Sequence, residues 1–231
     1  MTDRATLLSR LAQAVARESA KRPLTWRVCR TARDVIGVDG ASITMDNSAP
    51  NRVMLCATDR RSDLLENLQD VLGEGPGRDA FDVGQPVQTG FDRYAASRWP
   101  QFIPAAEKII GANGFLWAFP MHSAGDVIGT VNLYRISASP LAESIDAVQF
   151  LADTLATNLL GDPAALAEMA DAGAWSSRAV VHQATGMLVA QLGVGVDDAL
   201  AVLRSHAFAT SAHLADVARA VVERKLNLTG R

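Results

Sequence analysis

Three polar side chains in the C-terminal part of the chain have a helical spacing that suits contact with a nucleic-acid phosphate. Arg178, His182 and Thr185 share one helix face, because each residue turns a helix by about 100°. Gly186 lies beside them and would let a phosphate backbone approach closely. A polar row of this kind is equally typical of a solvated helix face, so both interpretations stay open. We expect the row opposite an apolar stripe made of Val180, Val181, Ala184, Met187 and Leu188.

Residue types that perform catalysis or bind metals are sparse. The two cysteines, Cys29 beside Val28 and Cys56 within a predicted strand, are expected to be buried structural thiols. Two cysteines exclude a disulfide-rich scaffold and a cysteine zinc site. Only His122 of the four histidines lies outside the C-terminal helices, so no Ser-His-Asp arrangement is supported. We expect a protein that is not an enzyme and has no cofactor.

The composition is that of a folded protein without a large basic surface. The chain has 231 residues, of which 48% are hydrophobic and 20% charged, and its net charge is -3. Residues 164–231 contain six basic and six acidic side chains, so the position of each cation matters more than the total. The longest apolar stretches are shorter than the roughly 20 residues of a membrane-spanning helix. We expect a cytoplasmic protein that does not enter a membrane.

The spacing of apolar residues predicts two parts that differ in secondary structure. The first part alternates helices with strands, and helices flanking an antiparallel sheet give an α+β layer architecture. The second part has only helical periodicity, which predicts a small all-α bundle of three helices. Such a bundle has a marginal core, so we expect it to lean on a partner chain or on the preceding helix. The predicted helices are 7–18, 23–36, 64–72, 99–110, 141–160, 177–192, 197–207 and 211–226, and the predicted strands are 41–45, 53–58, 86–89, 115–119 and 127–134, with turns at 47–51 and 123–126.

The C-terminal helices resemble the ANTAR family of RNA-binding domains. The carrying stretches are RAVVHQATGMLV at 178–189, DDALAVLRSHA at 197–207 and LADVARAVV at 214–222, in order over about 55 residues. The resemblance implies a dimer that binds paired RNA hairpin loops in nascent transcripts and promotes antitermination. Loop bases are splayed out, so side chains can recognise them with few cations.

The resemblance also implies which residues contact RNA. Arg178, Gln183, Thr185, Gly186 and Arg204 stand at the motif positions, and His182 joins them from the polar row described above. The chain departs from the family pattern where many members have basic residues. Thr185 replaces a lysine, and residues 211–213 replace a basic run, so the basic surface is thinner. Gly186 and Gln183 could equally serve the fold, and Arg204 could be an intramolecular ion-pair partner.

Residues 21–160 resemble a GAF domain, a sensor fold that often precedes ANTAR. The stretches that carry this resemblance are GEGPG at 73–77, RWPQF at 98–102 and GDVIGTVNLY at 125–134. The resemblance implies a cup beside the sheet that holds a small ligand, whose identity the sequence leaves open. A place in the core is an equally open interpretation for the aromatic candidates. The candidate lining residues are Trp99, Trp117, Phe119, His122, Asn132 and Tyr134.

Together these resemblances identify the chain as a member of the GAF–ANTAR antitermination regulators, of the actinobacterial type. We predict an N-terminal helix at 1–20, a GAF-like sensor domain at 21–160 and an ANTAR-like domain at 161–231. The helix at 141–160 would transmit the signal within a homodimer, whose helical seam would use Leu7, Leu11 and Val15 together with the apolar positions of the 141–160 helix. These residues could equally pack within one chain. Two rival functions stay open, namely a DNA-binding regulator and a ligand-binding GAF protein whose C-terminal helices mainly dimerise it.

Overall fold

A five-stranded antiparallel sheet forms the centre of the first part of the chain. The structure, a computed structural model, describes residues 4–19, 21–46, 52–163, 166–167 and 174–228, without the side chains of 46, 52 and 174–178. The strands are β1 (Gly40–Asp46), β2 (Arg52–Ala57), β3 (Val87–Thr89), β4 (Phe115–Ser123) and β5 (Asp126–Arg135). Their order across the sheet is β2-β1-β5-β4-β3, and all neighbouring pairs are antiparallel. The predicted turn at 47–51 lies outside the described residues.

Helices cover both faces of this sheet, which confirms the α+β prediction. Those of the first part are α1 (Arg4–Arg17), α2 (Leu24–Ile36), α3 (Arg60–Leu72), α4 (Pro76–Val83), α5 (Arg93–Arg98), α6 (Phe102–Ile110) and α7 (Ile145–Gly161). The C-terminal helices are α8 (Ala174–Leu192), α9 (Val196–Thr210) and α10 (Leu214–Val222). No single helix among the described residues is long and apolar enough to cross a membrane. Two consecutive helical segments, Ala179–Leu192 and Val196–Thr210, reach that length and apolar composition only when taken together, and their axes are bent by 109°.

The main core lies between the sheet and helices α1, α2 and α7. Leu7 and Leu11 of α1 are buried in it, and Val15 packs against it. Arg10 connects α1 to the rest of the first part. Its guanidinium donates hydrogen bonds to Glu143 Oε1 at 2.8 Å and to the Val35 carbonyl at 2.9 Å. The predicted seam between two copies is therefore used inside a single chain.

The second face of the sheet is covered by α3, α4, α5 and α6. Trp99, Phe102 and Leu116 are buried in this smaller core. Helix α3 begins earlier than predicted, because the Asp59 carboxylate accepts hydrogen bonds from the amides of Arg61 and Ser62 and caps the helix there.

The C-terminal helices pack into a bundle that rests on α3. Leu188, Leu203 and Val221 are among its buried residues, and Val71 of α3 belongs to the same cluster. Among the described residues, an early helix of the first part supports the bundle, and support from a partner chain stays a prediction.

Candidate functional site

The exposed edge of α8 contains part of the predicted polar row. His182 and Gln183 are exposed, and so is Gly186. A Cβ built on Gly186 would meet no atom within 4 Å, so this glycine is not required for close helix packing among the described residues. The side chain of Arg178 lies outside the described residues, although its backbone belongs to α8. The edge therefore offers an imidazole, an amide and a bare stretch of backbone.

Thr185 does not belong to this exposed edge, contrary to the prediction. Its side chain is buried, and its hydroxyl donates a 2.8 Å hydrogen bond to the Val181 carbonyl. Val181, Ala184, Thr185 and Leu188 recur at the spacing of one inward helix face. A threonine fits this face because the carbonyl one turn earlier satisfies its hydroxyl.

Arg204 is half-buried and faces the first part of the chain. Its Nη1 lies beside Gly73, at 3.8 Å from the position of a built Cβ. Its Nε is buried without a hydrogen-bond partner in the described part of the chain. Burial and the neighbouring Arg78 lower the pKa of Arg204, against the opposing effect of Asp70 and Asp197. Arg204 is thus placed at the junction between α9 and the α3–α4 region.

Two further cations near the C-terminal end, Arg219 and Lys225, are paired with carboxylates. Arg219 Nη1 lies 2.9 Å from Asp216 Oδ1 on the exposed face of α10. Lys225 Nζ lies 2.7 Å from Glu223 Oε2 directly after this helix. Each carboxylate offsets part of the positive potential of its partner, so this face is weakly cationic.

A small cavity with several polar side chains in its wall lies between the sheet and α3. Ser42 Oγ donates a 2.6 Å hydrogen bond to Glu66 Oε1, and both side chains are buried. Gln69 Oε1 accepts a 2.7 Å hydrogen bond from the Gly77 amide. The cavity has a volume of about 20 Å³, which is room for about one water molecule. Its walls are formed by Ser42, Ser62, Leu65, Glu66, Gln69, Pro76, Phe102, Leu116, Trp117, Asn132, Leu133 and Tyr134.

Three of the six predicted pocket residues line this cavity, namely Trp117, Asn132 and Tyr134. Asn132 Nδ2 donates to Thr130 Oγ1 at 3.1 Å, whereas its Oδ1 is buried without a partner among the described residues. The cavity's polar wall from α3 was missed. The sequence does contain a pattern that could have predicted this wall. Ser62, Glu66 and Gln69 are spaced by four and three residues, which places three polar side chains on one face of the helix.

The other three predicted pocket residues lie elsewhere. Trp99 is buried in the smaller core, and Arg98 lies over its ring at 4.8 Å. Phe119 is fully buried in the main core, on the opposite face of the sheet. His122 is partly exposed, and its Nδ1 lies 2.8 Å from Asp153 Oδ1 on α7. Trp99 and Phe119 therefore belong to the two hydrophobic cores, and His122 joins β4 to α7.

A hydrogen-bonded group at the start of α3 borders the cavity. The Tyr134 hydroxyl donates a 3.0 Å hydrogen bond to Asp59 Oδ1, the same oxygen that caps the helix. Burial, together with the charge and hydrogen bond of Asp59, raises the pKa of Tyr134 to about 12. Gly40 packs so tightly here that a Cβ would overlap Tyr134. The group fixes the N-terminus of α3 to the sheet.

A second, wider cavity opens at the edge where β4 approaches the segment before α7. Its volume is about 340 Å³. Phe115 and Trp117 form its aromatic wall, with their ring centroids 4.6 Å apart. Pro140 and Leu141 lie among the residues opposite. Trp117 therefore borders both of these cavities.

The cysteines occupy sites that do not favour chemistry. Cys29 and Cys56 are free thiols and both are buried. Burial raises the pKa of the Cys56 thiol well above its usual range, and the adjacent Cys29 raises it further. No group of three His, Cys, Asp or Glu side chains suited to a metal ion occurs within the described ranges.

Comparisons with known proteins agree with this architecture. Residues 23–159 match the GAF domain family, and residues 172–222 match the ANTAR domain family. The GAF domain of a phosphoenolpyruvate-protein phosphotransferase from Coxiella burnetii is 15% identical, with a TM-score of 0.50 over 75% of this chain and 99% of that chain. The fold of the first part is therefore that of a GAF domain.

Two further solved structures are also similar. The NLH2 GAF domain of A. aeolicus in an inactive state is 13% identical, with a TM-score of 0.41 over 69% of this chain and 91% of that chain. A domain of a two-component sensor histidine kinase protein from Sinorhizobium meliloti 1021 is 18% identical, with a TM-score of 0.44 over 62% of this chain and 92% of that chain. No curated protein matched the sequence.

The family matches extend over most of the chain. The GAF match alone covers more than half of it, and the ANTAR match begins shortly afterwards. GAF and ANTAR domains are sensor and regulatory domains, not enzyme domains. The actinobacterial type stays a prediction. The chain belongs to the GAF domain family and, with its ANTAR domain, is a GAF–ANTAR signal-sensing regulator.

Proposed function

We propose that this regulator binds hairpin loops in nascent RNA through α8 and thereby promotes transcription antitermination. The observation that supports this most directly is the exposed edge formed by His182, Gln183 and Gly186 inside the ANTAR match. These three positions lie within about 100° of helix rotation. An unpaired base can be recognised by the amide, while the phosphate lies against the glycine backbone.

Electrostatics favour a modest and selective interaction. Arg219 and Lys225 are paired with carboxylates, and Arg204 faces α3, so few cations remain for phosphates. Each phosphate contact to a single strand contributes roughly −0.7 to the slope of log affinity against log salt. Affinity should therefore depend only weakly on salt, and most selectivity must come from the loop bases.

The sensor domain receives the signal in this proposal. A small ligand binds within the GAF domain, and Trp117, Asn132 and Tyr134 belong to its site. The protein acts as a homodimer, because paired hairpins require two ANTAR domains. It acts in the cytoplasm, where nascent transcripts are made. Since Leu7 and Leu11 are buried inside one chain, the dimer uses other surfaces than the α1 seam.

The two rival functions have less support. A DNA-binding role would place α10 in a major groove, but its exposed Arg219 is paired with Asp216, which would repel phosphates. A bundle that only dimerises the protein would not need the exposed amide of Gln183 and the open surface at Gly186.

The deciding experiment is a binding titration of the full chain with a two-hairpin RNA over a range of salt concentrations. Gln183→Ala should weaken binding by about tenfold, which is the typical value of one lost base contact. Gln191→Ala is the matched control, because Gln191 is also exposed on α8. Equal affinity for the hairpin RNA, a fully paired duplex and DNA would refute the proposal.

A further inference from the structure

Helix α3 makes polar contacts on two of its sides. The residues that contact the C-terminal bundle each follow directly, in the sequence, a residue that lines the cavity. Ser62, Glu66 and Gln69 line the cavity beneath the sheet. Asp63 and Asn67, each one residue further along, face the C-terminal bundle. One residue turns a helix by about 100°, so the same helix touches the sensor site and the RNA-binding domain.

Three contacts hold the bundle against α3. Asn67 Nδ2 donates a 3.1 Å hydrogen bond to the Ala212 carbonyl, between α9 and α10. His213 Nε2 lies 3.3 Å from Asp63 Oδ2. Val71 is 4% exposed and is buried in the bundle's own core. These contacts combine hydrogen bonding with apolar burial at one docking surface, defined here by Asp63, Asn67 and Val71.

The C-terminal end of α3 also lies against Arg204. The guanidinium lies beside Gly73, at the end of α3, and its Nε is enclosed without a partner among the described residues. Arg78 of α4 adds a like charge nearby, and Asp70 and Asp197 compensate for part of it. The α3–α4 region therefore occupies part of the surface from which a phosphate could reach the half-buried Arg204.

The cavity on the other side of α3 is nearly full. Its volume of about 20 Å³ admits one water molecule and no organic ligand. The sheet wall is rigid, because Ser42 and Asn132 belong to strands paired on both sides. A larger ligand can therefore enter only if a helix of the cavity wall moves outward, and α3 supplies four of the wall residues, namely Ser62, Leu65, Glu66 and Gln69.

We propose that docking of α9 and α10 on α3 withholds Arg204 from RNA, and that a ligand entering the cavity beneath α3 displaces this helix and releases the bundle. This inference rests on the proposed RNA-binding function. It makes α3, rather than the α7 helix, the element that transmits the signal.

The first test fixes the docked arrangement covalently. Asn67→Cys and Ala212→Cys are combined in the full chain and joined by a short bismaleimide crosslinker, with each single variant treated alike as a control. The native cysteines are buried, which limits their reaction. We expect a product of monomer mass whose affinity for the two-hairpin RNA is about tenfold below that of the uncrosslinked protein.

Each alternative result has a defined meaning. If no crosslink forms, or only one of doubled mass, the docked arrangement is wrong. Undiminished RNA affinity in the crosslinked monomer would refute the inhibition and leave the RNA function intact. If neither form binds RNA, the proposed function fails, and this inference fails with it.

The second test opens the docking surface without touching the RNA-binding edge. Asp63→Ala with Asn67→Ala removes two contacts and should raise RNA affinity by about threefold or more. The control, Asp126→Ala with Asn158→Ala, changes the same residue types at exposed positions elsewhere in the sensor domain. Equal affinities for both double variants would contradict the inhibition.

The third test imitates an occupied cavity. Ser42→Met places a longer side chain beneath α3 and should raise RNA affinity in the free protein but not in the crosslinked one. Leu65→Phe enlarges the α3 wall of the same cavity and is measured in parallel, in case the first variant does not fold. Wild-type affinity in whichever variant is folded would overturn the ligand-driven release.

Discussion

Glu66 and Asn67 are consecutive residues of α3 that contact different domains. Glu66 Oε1 accepts a 2.6 Å hydrogen bond from Ser42 on the central sheet, whereas Asn67 Nδ2 donates a 3.1 Å hydrogen bond to the Ala212 carbonyl of the bundle. A hydrogen bond tolerates only a few tenths of an ångström of displacement before it weakens. A shift of α3 must therefore change contacts in both domains.

Ser42→Ala should destabilise the sensor domain. The variant removes the donor to Glu66 Oε1 inside a buried polar group, and such a loss costs about 1–3 kcal/mol. Ser97→Ala is the matched control, because Ser97 is exposed and hydrogen-bonds only within its own helix turn among the described contacts. Urea unfolding of both variants measures the difference. Equal free energies of unfolding would show that the Ser42 hydroxyl contributes little.

Val71→Ala should loosen the C-terminal bundle although Val71 belongs to the sensor domain. Its side chain is 4% exposed and lies in the bundle core, so truncation should cost roughly 1–3 kcal/mol. Val83→Ala, at a position that is 60% exposed, is the control. Hydrogen exchange resolved by peptide should show faster exchange in α9 and α10 for Val71→Ala alone. Unchanged exchange there would argue against the docking surface.

The strands and long helices of both parts could be predicted from apolar spacing, because burial on one face imposes that spacing directly. Helix α4 could not, because glycine and proline at 75–77 are typical of a loop. The structure shows Gly75 as the N-cap with φ of 135° and Pro76 in the first turn. Proline at the start of a helix is tolerated because its missing amide hydrogen would have no partner there. The predicted helix at 99–110 begins later, at Phe102, and α5 (Arg93–Arg98) lies before the predicted range.

The candidate site could be predicted only where local chemistry decides it. Exposure of His182 and Gln183 follows from the helical period, but Thr185 was misplaced because its hydroxyl is satisfied by its own helix. The covering of Arg204 depends on α3, which lies more than 130 residues earlier in the chain. No local pattern encodes a contact between surfaces so distant in sequence.

Tyr134→Phe should remove an alkaline dependence of stability. The folded-state pKa of Tyr134 is about 12, above its ordinary value near 10, so the neutral phenol is favoured in the native state. The contribution of Tyr134 to the free energy of unfolding is complete at pH values below its pKa in the unfolded chain. It is lost as the pH rises towards and through its pKa in the folded protein. The wild-type protein should lose about 1 kcal/mol more than Tyr134→Phe between about pH 9 and pH 11. Urea unfolding across this range measures it, and parallel curves would contradict the expectation.

Gly186→Ala should separate stability from RNA binding. A Cβ at this position meets no neighbour within 4 Å, and the helical backbone accepts alanine, so stability should rise by about 0.5–1 kcal/mol. The added methyl group stands where we propose that a phosphate approaches, so RNA affinity should fall by about threefold or more. Gly161→Ala is the control, because Gly161 is the last residue of α7 and is equally open. Thermal unfolding and RNA titration of both variants give the comparison. If Gly186→Ala keeps full RNA affinity while becoming more stable, the RNA backbone does not lie against this part of α8.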